Sequence, residues 1–169
     1  MSNEQIVKSI KLLTSKGIHV SAYNIIGMPG MDRKHVFETI KLNKEAGPSS
    51  SIVSVFIPYL DNDMTKKLVQ DGLLNPAKIR VSNGLYPTVE IDAMSSKEIS
   101  GLYNTFNIYM KFPKWAYSLV KILENGNFMT TAIRKIIYTM MRYADKKPNI
   151  KPKQRIKLDQ YFHIEGANG

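Results

Sequence analysis

From Asn3 to Lys16 apolar side chains fall at Ile6, Ile10, Leu12 and Leu13, mostly three or four apart. That spacing predicts an amphipathic helix, and Gly17 ends it. Ile18–Ile26 is short, rich in β-branched residues and bounded by Gly17 and Gly27, which predicts a buried strand. Asp32 is an N-cap for a second helix reaching Ala46, with Val36, Phe37, Ile40 and Leu42 apolar. Gly47-Pro48 breaks it, Ser51–Ile57 reads as a second buried strand, and Pro58 closes that strand. Asn62 or Asp63 caps a third helix through Asp71, ended by Gly72, and Thr88–Ile91 offers a short third strand. Strands alternating with helices in this way imply βαβ units and a parallel sheet.

The pattern then changes to helices alone. Ser95 and Glu98 stand three apart in a capping-box arrangement and open a helix to Lys111. Pro113 suits the first turn of the next helix, which runs to Glu124. Asn125-Gly126-Asn127 is a turn, and a last helix spans Phe128–Tyr143 with Ile133, Ile136, Ile137, Met140 and Met141 on one side. The basic, proline-bearing stretch from Lys146 reads as an extended tail. Three spans result: an α/β part at 1–92, a helical extension at 93–145 and a basic tail at 146–169. A complete eight-stranded barrel needs about 250 residues, so 169 residues with two or three strands suggest part of an α/β fold.

Composition sharpens this in two places. Hydrophobic residues are 43% and charged residues 22%, enough to bury a core, and no apolar run is long enough to cross a bilayer. No secretory signal opens the chain, and a cytoplasmic setting is the expectation. Cysteine is absent, which excludes disulfides, thiolate nucleophiles and cysteine-held metal sites within the chain. The net charge of +10 is uneven: residues 1–110 carry +2 and residues 111–169 carry +8. A basic C-terminal third is either a solvated face or a contact with an anionic surface, RNA or an acidic partner. RNA is the weakest of these, for there is no recognised nucleic-acid motif and the tail has few aromatic residues.

Candidate chemistry gathers where strands give way to helices, the edge on which α/β proteins place their sites. Ile25-Ile26-Gly27-Met28-Pro29-Gly30 follows the first strand; its two glycines allow close backbone approach and Pro29 stiffens the turn. No Gly-Lys-Ser/Thr follows, so a phosphate loop is disfavoured. Pro58-Tyr59-Leu60-Asp61-Asn62-Asp63 ends the second strand. Asp61 and Asp63 are either ligands for an oxygen-preferring cation or helix caps. His19, His35 and His163 share no metal-like spacing, and His19 at a strand start reads as a packed neutral imidazole. No serine lies in a nucleophile elbow and no carboxylate pair stands out as acid and base, so no catalytic residue is assigned.

Four stretches in order carry a resemblance: Ser15-Lys16-Gly17-Ile18, Ile26-Gly27-Met28-Pro29-Gly30, Glu38-Thr39-Ile40 and Pro58-Tyr59. With residues 6–74 around them they resemble the C-terminal part of the core domain of radical S-adenosylmethionine enzymes, the cobalamin-binding-domain type in particular. The Met94–Glu124 helices resemble the helical segment that follows the barrel in that family, so the likeness covers about three quarters of the chain. Met31, Asp32 and Leu60-Asp61-Asn62 stand where the family has Glu, Thr and Pro-Gly-Thr.

The resemblance implies an α/β fold, the C-terminal part of a (β/α) barrel with two to three parallel strands and helices, followed by an all-helical extension. It implies S-adenosylmethionine as ligand, with Ile25, Gly27, Pro29, Gly30, Pro58 and Tyr59 lining it. The family's Cys-x-x-x-Cys-x-x-Cys has no counterpart here, so a [4Fe–4S] cluster, and cobalamin, enter only with an N-terminal half or partner subunit. The chain is then expected to be a gene fragment, a split subunit or a truncated reading frame, inactive alone. The other reading is a non-catalytic module that sets its basic last helix on an anionic membrane or an acidic partner.

Overall fold

A computed structural model describes residues 1–59, 62–78 and 93–145. They form a mixed α/β arrangement of six α-helices and one two-stranded parallel sheet. The predicted strand at Thr88–Ile91 and the tail at 146–169 lie outside the described residues. In order come α1 (Asn3–Ser15), β1 (Ser21–Ile26), α2 (Arg33–Ala46), β2 (Ser50–Val55) and α3 (Asp63–Gln70). α4 (Ser96–Lys111), α5 (Tyr117–Ile122) and α6 (Phe128–Asp145) follow. No helix among the described residues is long and apolar enough to cross a membrane.

The helix ends follow side-chain chemistry. Asp32 accepts the His35 amide at the start of α2, Asn62 accepts that of Met64 for α3, and Ser95 that of Glu98 for α4. Gly47 ends α2 at φ +66°, the left-handed conformation glycine enters without strain. α5 is shorter than the predicted run from Pro113 to Glu124, because the chain first makes a 3₁₀ turn at Lys114–Ala116.

β1 and β2 pair from Ser21 opposite Ser50 to Ile26 opposite Val55. Ala22, Asn24 and Ile26 share a face with Ser51, Val53 and Val55, and helices cover that face. Ile26, Val36 and Ile40 meet Ile99, Leu102, Phe106 and Tyr109 of α4 in one core, so α4 closes over the sheet rather than trailing behind it. A polar ladder crosses the same layer: Asn43 of α2 donates to Asn24 Oδ1 at 2.7 Å, and Asn24 donates to Ser51 Oγ at 3.1 Å. Lys44 ties α2 to the end of α4 by donating to the Phe112 carbonyl.

The opposite face departs from the expectation of buried strands. Tyr23, Ile25 and Ile52 are exposed there, Tyr23 at 76%. A parallel sheet is ordinarily covered on both sides; among the described residues this one has helices on one side only. His19 is also exposed rather than packed, and its ring is hydrogen-bonded at 3.3 Å to the Ser50 hydroxyl.

Candidate functional site

β1 and β2 run parallel, so their C-terminal ends lie side by side, and the ladder continues beyond them as the Phe56 amide donates to the Ile26 carbonyl at 2.8 Å. This brings the turn Gly27–Gly30 and the pair Pro58-Tyr59 to one edge. Ile25 stands exposed on the uncovered face, Tyr59 is exposed, and Pro58 is buried. Pro29 lies between Gly27 and Gly30, each of which has a positive φ, and the Met31 amide closes the turn on the Met28 carbonyl.

Gly27 has a structural reason of its own. A Cβ there would lie 3.2 Å from Ile99 Cγ2, so the absent side chain admits α4 to the covered face. The space around Gly30 is open. The surface available to a planar ligand at this edge is therefore that of Ile25, Tyr59 and the Gly30 backbone, with Gly27 shaping the turn.

Directly after the turn lies a cluster that sequence spacing hides. Arg33, the first residue of α2, donates to both carboxylate oxygens of Glu124, at 2.5 and 2.9 Å, and to Glu98 at 3.4 Å. The buried Tyr109 hydroxyl donates to the same Glu124 carboxylate at 2.5 Å. These hydrogen bonds raise the Arg33 pKa further above its usual value, and burial raises that of the Tyr109 phenol, with Glu124 adding to the effect. Arg33 and Glu124 are 91 positions apart, and no local motif announces such a pair. The only local hint was the spacing of Ser95 and Glu98, and there the Glu98 side chain turns to Arg33 while the Ser95 hydroxyl caps the helix.

A cleft of about 420 Å³ opens beside the cluster, walled by Arg33, Ser95, Lys97, Glu98, Lys121 and Glu124 among others. Its walls carry charges of both signs. Asp32, just before it, is held below its ordinary value chiefly by the His35 amide, and its carboxylate lies 2.6 Å from His35 Nδ1. Of the remaining candidates, Asp63 opens α3 beside Lys66 at 3.9 Å, whereas Asp61 and His163 lie outside the described residues. Among the described residues no three His, Cys, Asp or Glu side chains come together as a metal-holding group.

No protein-family model, curated protein or solved structure matches this chain.

Proposed function

We propose that this chain is the C-terminal part of a radical S-adenosylmethionine enzyme's (β/α) barrel, completed by strands from a segment or subunit that carries the cluster-binding cysteines. One observation carries the reading: a parallel strand pair with helices on one face and the apolar Tyr23, Ile25 and Ile52 uncovered on the other. In a barrel the helices lie outside and that second face looks inward on the other strands. The four motif stretches, in order along the chain, support the same reading.

The residues fit the proposed ligands unequally. Ile25 and Tyr59 offer exposed apolar surface at the C-terminal edge, suited to an adenine ring. A [4Fe–4S] cluster does not fit this chain, because it needs cysteine thiolates and the chain has none. No radical step is assigned to these residues, and the chain by itself is inactive.

The test is complementation. The reading expects an open frame encoding Cys-x-x-x-Cys-x-x-Cys near the coding sequence of this chain. Co-purified with that product, the chain should form a complex that cleaves S-adenosylmethionine to 5′-deoxyadenosine under reducing conditions. Tyr23→Lys with Ile52→Lys should abolish the complex. Absence of such a frame, or a complex indifferent to these substitutions, overturns the reading.

A further inference from the structure

α6 carries two apolar rows where a packed helix needs one. Ile137, Tyr138 and Met141 turn onto the core, and Arg134 is buried beside them. The predicted single apolar side therefore divides, because Ile133, Ile136 and Met140 face away from the core. With Met129 and Tyr143 they recur at steps of four and three, and all five are exposed, Met140 at 67%. An exposed apolar row of that length marks a contact surface.

Charge selects the occupant. Lys135 and Arg142 are exposed on the same helix, and Asp145 is the only carboxylate in α6. Directly after α6, positions 146–157 hold six Lys/Arg and no acidic residue. A second copy seated on this row would bring two cationic sets together, which like-charge repulsion opposes. An anionic lipid surface meets both demands: the acyl boundary takes Ile and Met, and the headgroups take Lys and Arg. Tyr143 has the aromatic body and polar tip found at such boundaries. Apolar row and polybasic segment together supply the two signals that stable peripheral binding requires.

We propose that α6 docks its outer row, Met129, Ile133, Ile136, Met140 and Tyr143, on an anionic lipid surface. The proposal is independent of the barrel reading, since it draws on none of the sheet residues.

Because the chain lacks cysteine, Met140→Cys gives the full-length protein one site for an environment-sensitive dye. With vesicles of phosphatidylglycerol in phosphatidylcholine at low salt, the dye emission should shift to the blue and the protein should float with the vesicles. Flotation separates bound protein from aggregate, which sinks. The floated fraction should fall roughly tenfold on pure phosphatidylcholine, at high salt, and for Ile136→Glu. Lys146→Glu with Lys147→Glu, which changes no residue of α6, should fall by a similar factor. The proposal is overturned if nothing floats with anionic vesicles, or if both variants float as the parent does. A blue shift without lipid that follows protein concentration would instead assign the row to a second copy. Binding to polyglutamate but not to vesicles would assign it to an acidic protein.

Discussion

At Gly101 two opposing effects can be weighed. Alanine is the better helix former by about 1 kcal/mol, yet a Cβ at this position would lie 2.8 Å from Glu124 Cβ and 3.0 Å from the Glu124 carbonyl oxygen. Backbone must then move, at a cost of about 1–3 kcal/mol, and the movement draws Glu124 away from Arg33. Gly101→Ala should therefore lower the stability found by denaturant titration, by about 1 kcal/mol net. Tyr109 makes a second residue-level prediction. Its phenol is raised above the ordinary 10.0, chiefly by burial. The unfolded chain thus releases the proton first, so stability is intact below pH 10 and falls as pH rises beyond it. Tyr117 and Tyr138 shift the same way through burial, so Tyr109→Phe should flatten the alkaline decline without abolishing it. Thermal melts across that range measure the slope.

At the scale of elements, Arg134 of α6 acts on α5. It donates to the carbonyls of Leu123 and Asn125 and to the Thr131 hydroxyl while only 8% exposed. Arg134→Met keeps the apolar stem and strands the Leu123 carbonyl, while the Asn125 carbonyl keeps the Thr130 hydroxyl, so denaturant titration should read a loss of about 2 kcal/mol. Asp32 gives α2 an acid-sensitive start. Its pKa is depressed, so the cap is fully present above the ordinary 3.8 and lost as pH falls through the lower folded value. Asp32→Ala should melt lower than the parent at neutral pH, and the gap should close in acid. These ends were legible in the sequence because capping is local: Asp32, Asn62, Ser95 and Gly47 each act within a few residues of themselves. What stayed illegible was long-range. Alternation in Tyr23-Asn24-Ile25-Ile26 does not say which face meets a helix, and β-branched residues read as buried on both faces. Glu98 satisfied a capping pattern, but a guanidinium 65 positions away claimed its carboxylate. At the candidate edge, order along the chain put Gly27 and Tyr59 after the ends of two strands, and those strands are paired in parallel. It could not reveal that Ile99 packs where the Gly27 side chain would be.

The described residues make a lopsided molecule. Its core is shared by the sheet, α2 and α4, while the other sheet face and the outer row of α6 stay apolar and exposed. The uncovered sheet face favours association, so the purified chain should self-associate through it as concentration rises. Ile52→Lys, on the uncovered face at 40% exposure, should reduce light scattering and leave the melting temperature within a degree or two. A sharp, reversible, monomeric transition of the parent protein would contradict this.

The pairing of Arg33 with Glu124 also bears on how the chain is made. The 91 positions between them take roughly 5–20 s to synthesise at ordinary translation rates. For part of that interval, between the end of β2 and the arrival of Ser96–Lys111, β1, β2 and α2 exist without α4. A nascent chain of this sequence thus presents both faces of its strands to solvent or to chaperones before one of them is covered. Slowing elongation after β2 should lengthen that window and lower the yield of folded protein, whereas faster delivery of α4 should raise it.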